Sequence, residues 1–154
     1  MSRRYYNTSI RNLEYRLRRF KENLHNTLAD IVQENADIII STVTADQLYD
    51  EGIDGRGIRL DSFAPYTLNT QFRKVRKGQP IDRVTLRDTG EFYNSIYLVF
   101  DKGGFYLTSS DDKFKHLKKK YGPRILRLTN ENLSYILDEV IRPELAKRLK
   151  EAVL

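Results

Sequence analysis

Ser95-Ile96-Tyr97-Leu98-Val99-Phe100-Asp101-Lys102-Gly103-Gly104-Phe105-Tyr106-Leu107-Thr108-Ser109 is the stretch whose reading decides the fold class. Two β-branched and aromatic runs flank Asp101-Lys102-Gly103-Gly104, whose glycines can take the positive φ that hairpin turns require. Outside this hairpin the pattern is mostly helical. From about Ser9 to Asp50, Ile10, Leu13, Leu17, Phe20, Leu24, Leu28, Ile31, Ile39 and Val43 recur at three- and four-residue spacing, one stripe of a helix. Downstream, Thr129 caps a last helix with Leu133, Ile136, Leu137, Val140, Ile141, Leu145 and Leu149 inward, and Pro143 should kink or restart it after Ile141. The fold expected is therefore α+β: a long N-terminal helix, a small antiparallel sheet built on the hairpin, short helices and a C-terminal helix.

The long helix would reach roughly 60 Å at 1.5 Å per residue, more than a compact domain of this size is wide. Either it breaks near Asn35, or its first half projects. The second arrangement is expected, with residues 1–24 forming a basic Arg/Tyr-rich arm on a domain of residues 25–154. Between the helix and the hairpin, Gly52, Gly55 and Gly57 mark a loop with a short strand at Ile58 to Leu60. Thr67 to Lys77 reads as a short basic helix with Leu68, Phe72 and Val75 inward. Residues 112–121 read as a lysine-rich helix with Phe114 and Leu117 inward, and Arg124 to Leu128 as a short extended piece.

At 154 residues and 40% hydrophobic, the chain is one domain's worth and can bury a core. It has no Cys and two His, which removes disulfides, thiolate nucleophiles and cysteine-held metals and disfavours a histidine-built centre. No apolar run approaches a membrane span, and no secretory signal follows the first arginines. The net charge of +6 divides unevenly: residues 1–24 carry about +5, residues 113–127 about +7 and the remainder about −6. A mildly acidic body with two basic segments suits a polyanionic or acidic neighbour.

Catalytic constellations are weak. Asp111 and Asp112 are better explained as turn and capping acids than as paired carboxylates, because no base, nucleophile or third ligand accompanies them. Ser109-Ser110 lacks a histidine partner, and the glycines at 52, 55 and 57 do not form a phosphate-cradling loop. The expectation is no enzyme, no cofactor and no metal. The basic segments differ in chemistry. The first is rich in Arg and Tyr, as protein interfaces are, and Tyr5, Tyr6, Ile10, Leu13 and Leu17 are its candidate contact residues. The second, Lys113, Lys115, Lys118, Lys119 and Lys120, is either a solvated face or a surface that follows a phosphate backbone.

Val84-Thr85-Leu86-Arg87-Asp88-Thr89-Gly90-Glu91-Phe92-Tyr93-Asn94-Ser95-Ile96 resembles the Leu-x-Asp-Thr-Gly-x-Leu/Phe-x-x-Ser-Ile signature of phage tail-completion, or head-tail joining, proteins. The order of a long helix, an Ala64-Pro65-Tyr66 loop, a lysine-rich helix, the signature, a hairpin and a C-terminal helix extends the likeness over roughly residues 25–150. Within the signature, Leu86, Asp88, Thr89, Gly90, Phe92, Ser95 and Ile96 have structural roles: Asp88 or Thr89 to cap, Gly90 for close backbone approach, and Leu86, Phe92 and Ile96 to anchor the turn. The resemblance implies a homo-oligomeric ring in the virion neck or tail, assembled in the host cytoplasm and contacting portal, adaptor or tail proteins around the DNA channel, with no membrane partner. Ser109-Ser110-Asp111-Asp112 and the lysine helix stand where such proteins often carry other segments, and the Arg/Tyr arm is additional. The alternative from another class is an accessory protein that binds nucleic acid non-specifically through the lysine-rich helix.

Overall fold

Residues 2–154 are described by a computed structural model, with side chains described from Ser9 onward. The chain is 62% helical and 10% strand. Its first fifty residues make one bent rod: α1 (Ser2–Glu22), α2 (Leu24–Glu34), α3 (Ala36–Ser41) and a π-helical segment Thr42–Glu51, ended by Gly52 at φ +66°. Two asparagines cause the bends. The side-chain amides of Asn23 and Asn35 donate to the carbonyls of Arg19 and Ile31, four residues back, at 3.1 and 2.8 Å, and loosen the regular ladder there. Where the rod widens into its π segment, the hydroxyls of Thr42 and Thr44 donate to Ile38 and Ile40, each at 2.9 Å. The helix therefore breaks near Asn35, the alternative to the projecting first half that was expected, and again at Asn23.

One side of the rod builds the core. Ile31, Val32, Ile39, Val43 and Leu48 are buried there, each worth about 1.5–3 kcal/mol of transfer free energy. The hairpin packs on α2 and α3: β1 (Ile96–Asp101) pairs antiparallel with β2 (Gly104–Ser109), from Ile96 opposite Ser109 to Asp101 opposite Gly104. Ile96, Leu98 and Leu107 face inward, while Tyr97 and Tyr106 stand on the open face. Within the turn Gly104 has φ +121°, and the N–H of Gly103 donates to Asp101 Oδ1 at 2.8 Å.

After the hairpin come α6 (Lys113–Tyr121), α7 (Asn130–Tyr135), a second π-helical segment Ile136–Ile141 and α8 (Arg142–Val153); α4 (Leu68–Arg76) and α5 (Glu91–Asn94) precede it. Pro143 sits in the first turn of α8, directly after the π segment, where its missing N–H leaves the ladder to change step. Helix α8 returns along α1 and α2. Arg148 Nη2 reaches Glu34 Oε2 at 2.5 Å, and Arg16 Nη1 donates to the carbonyl of Val153 at 3.2 Å. The first half of the rod therefore has one flank on α8.

Gln47 joins the rod to the C-terminal helices. It is fully buried; its Nε2 donates to the Arg127 carbonyl at 2.8 Å, and its Oε1 accepts from Thr129 N at 3.1 Å and Asn132 Nδ2 at 3.3 Å. Thr129 caps α7 as expected, its hydroxyl oxygen accepting from Asn132 N at 3.2 Å.

Two expected extended pieces are not strands. Ile58 to Leu60 contributes only the isolated bridge between Ile53 and Arg59, then turns into a short 3-10 helix at Leu60–Ser62. Residues 124–128 form a turn, because the glycine loop must close onto them: Gly55 N donates to Arg124 O at 2.9 Å. A Cβ on Gly55 would lie 2.6 Å from the Arg127 carbonyl oxygen, so only glycine fits. Asp54 next to it is fully buried and accepts from the backbone N–H groups of Arg56 and Ile58 and from the Arg56 guanidinium.

Candidate functional site

Helix α4 inverts the usual rule for a surface helix. Thr67 caps it, accepting from Thr70 N at 3.3 Å. Leu68, Phe72 and Val75, expected inward, are instead 71, 67 and 59% exposed, and the residue turned to the protein is Lys74, at 6%. The reason lies in what the 85–90 loop offers. Lys74 Nζ donates to the Arg87 carbonyl at 2.7 Å and to Gln79 Oε1 at 3.1 Å, and lies 4.8 Å from the centre of the Tyr66 ring. A buried ammonium needs such a set of acceptors, and no apolar side chain could satisfy the loop. Gln79 Nε2 donates to the Asp88 carbonyl at 2.7 Å, and Lys77 ion-pairs with Asp88, whose hydrogen bond from Lys77 holds its carboxyl below the usual range. Polar contacts thus fasten α4 and leave its apolar side open.

The signature turn is built around Thr85. The Tyr66 hydroxyl accepts from Thr85 N at 2.9 Å, Tyr93 OH donates to the Thr85 carbonyl, and Thr85 Oγ1 accepts from Arg87 N at 3.3 Å. Burial raises the Tyr93 hydroxyl strongly and pushes Tyr121 up to about 12, so both stay neutral and Tyr93 keeps the proton it donates to Thr85. Pinned on both sides, Leu86 takes φ +56°, a left-handed conformation costing roughly 1–2 kcal/mol for such a residue.

Phe92 and Ile96 are buried and Leu86 packs against the core, the anchoring roles expected of them. Thr89 Oγ1 accepts from Glu91 N at 3.4 Å, whereas Asp88 turns to Lys77 instead of capping α5. Gly90 is required by its φ of +94° and not by close approach, since a Cβ there meets nothing within 4 Å. Ser95 Oγ lies 2.6 Å from Ser109 Oγ and donates to Phe92 O at 2.6 Å, closing the base of the hairpin.

Helix α6 is a ridge between two grooves. Phe114 and Leu117 pack against the core, as expected, and all five lysines are exposed. Lys113 approaches Glu91 at 3.7 Å, while Lys118 and Lys120 lie over the rings of Phe114 and Tyr121. On one side, a groove of about 310 Å³ runs along α4 and the signature loop, lined by Arg73, Lys74, Arg87 and Lys113 with Phe92 and Leu117. On the other, a groove of about 990 Å³ separates the hairpin from α2 and the C-terminal helices. Its floor includes Leu28, Val32, Phe105 and Leu133, and its charged lining residues are Lys102, Lys118 and Arg127.

On α1, Ile10, Leu13 and Leu17 are 53, 42 and 43% exposed; Tyr5 and Tyr6 lie outside the described side chains. Among the described residues the signature and the lysine helix share the smaller groove, through Phe92 and Lys113, whereas Ile10, Leu13 and Leu17 line neither groove. Asp111 acts locally, its Oδ1 accepting from Lys113 N at 2.8 Å, and His25 packs on Phe100 with ring centres 4.9 Å apart. Among the described residues no group of three His, Asp or Glu is placed to hold a metal ion, and no helix is long and apolar enough to cross a membrane.

Sequence reasoning missed Lys74, Tyr66, Thr85 and Gln47. For Lys74 a signal existed: Thr67, Gln71 and Lys74 form a polar stripe opposite Phe72, and the stripe pattern alone does not say which side is covered. No family model, no curated protein and no solved structure matches the chain.

Proposed function

We propose that the chain is a virion structural protein of a tailed phage, a ring-forming subunit that joins the portal end of the head to the tail or completes the tail. The observation that supports this reading is the signature Leu86 to Ile96, which lies between the long helix and the hairpin as in head-tail joining proteins and whose side chains are engaged in packing and turn closure. Its mechanism is assembly. Exposed apolar faces on α1 and α4 supply area for subunit contacts, and portal, adaptor or tail proteins are the neighbours. Deleting the coding sequence from a phage that carries it should give filled heads and separate tails, with joining restored by the purified chain. Intact virions lacking the chain would refute the reading.

A second reading rests on the five exposed lysines of α6: non-specific contact with nucleic acid. Phosphate contacts make affinity fall steeply with salt. Absence of DNA binding at low salt removes it.

A further inference from the structure

We infer that the exposed face of α4 docks on the acidic outer face of the bent rod in a second copy of this chain. The occupant is identified by charge. Residues 68–77 contain Arg73, Lys74, Arg76 and Lys77 and no acid, whereas residues 22–55 contain eight acids and neither Lys nor Arg. Within one copy only part of this is neutralised: Asp54 pairs with Arg56, Glu34 with Arg148, and Lys77 with Asp88. Asp37, Asp46, Asp50 and Glu51 are exposed and make no ion pair among the described residues.

Shape agrees with charge. On the rod, Ile38, Ser41 and Ala45 are exposed between these acids at helical spacing, a low strip on which another helix can lie closely. On α4, Leu68, Phe72 and Val75 form the matching ridge, flanked by the exposed Arg73 and Arg76. An apolar ridge bordered by arginines is the composition of an interface centre, and a phosphate backbone would leave its three large side chains in water. Because the two faces are different surfaces, the contact is heterologous and repeats from copy to copy; it yields a closed ring when the rotation closes. The inference deepens the reading of the chain as a self-assembling subunit by naming the surfaces.

Charge exchange tests it. The variant Arg73→Glu/Arg76→Glu carries two acidic faces, and the variant Asp46→Arg/Asp50→Arg carries two basic ones. In sedimentation velocity the full-length wild type should self-associate, and each variant alone should do so at least about a hundredfold more weakly, as like charges meet. An equimolar mixture should associate again, because every α4 then finds a rod of opposite sign. Phe72→Ser, with its side chain mostly in solvent, should lower association at least about tenfold while its circular dichroism and melting stay those of the wild type. The inference is overturned if the wild type stays monomeric, if either charge variant associates like the wild type, if the mixture of folded variants fails to associate, or if Phe72→Ser associates normally. Joining of heads to tails is a separate readout: loss of self-association with joining intact, or the converse, separates this inference from the functional reading.

Discussion

Replacing Gln47 with Met removes three hydrogen bonds while nearly preserving side-chain volume, so the loss measures the polar tie between the rod and the C-terminal helices. The Arg127 carbonyl and the Thr129 N–H, part-buried groups turned onto the fully buried Gln47, lose their partner, and Asn132 loses one acceptor. A buried backbone group left unsatisfied costs about 1–3 kcal/mol, so two of them give about 2–6 kcal/mol, with about 3–4 kcal/mol near the middle of that range. At about 2–4 °C per kcal/mol for a chain of this size, melting should fall by roughly 6–16 °C. Urea denaturation should give the same loss through the midpoint, with the slope unchanged. Gln47→Glu supplies the internal control. It keeps the acceptor for Thr129 but buries a carboxylate and loses the donor to Arg127, so it should be the weaker variant at neutral pH. It should then regain stability relative to wild type on acidification, as the protonated acid donates again. A loss below about 1 kcal/mol for Gln47→Met would show that Gln47 merely fills space and that the rod is held by apolar packing alone.

Two glycine substitutions should separate close approach from backbone conformation. Gly55→Ala drives a Cβ to 2.6 Å from the Arg127 carbonyl and should cost about 3 kcal/mol or more, whereas Gly90→Ala meets open space and should cost about 1–2 kcal/mol through its positive φ alone. Equal losses in chemical denaturation would refute this assignment. Asp54 should contribute to acid unfolding. Burial acts to raise its carboxyl, but hydrogen bonds from the Arg56 guanidinium and the N–H groups of Arg56 and Ile58 outweigh it and leave the carboxyl lowered. A lowered folded value means its contribution is complete above the unfolded value near 3.9 and is lost as pH falls through the lower folded one. Asp54→Asn should therefore be less stable at neutral pH and show a shallower decline of stability below about pH 4; an unchanged acid limb would contradict it.

The parts legible in the sequence are those governed by neighbours a few residues apart. The hairpin follows from two β-prone runs around a glycine turn, the cap of α7 from Thr129, and the change of helical step from Pro143. The side to which α4 turns is not local. It depends on the Arg87 carbonyl of the 85–90 loop, which Lys74 satisfies, and periodicity reports a stripe without its orientation. The same holds for Gln47, a polar residue whose burial is permitted by a partner 80 residues away. Residues 124–128, with Ile125, Leu126 and Leu128 among two arginines, are short enough to read as an extended piece, yet the approach of Gly55 folds them into a turn. Of the candidate site, the signature's anchors were readable because their roles are packing, while the open face of α4 was hidden by the assumption that apolar residues point inward.

The contact between Arg16 and Val153 joins positions 137 residues apart, near opposite ends of the chain. Helix α1 can close on α8 only after both have been made, so this pairing closes a long loop and belongs to the slow, non-local events of folding. A chain cut before Arg142 would bare the flank of α1 that α8 covers, in addition to the Ile10, Leu13 and Leu17 side already open, and would be cleaved more readily by proteases.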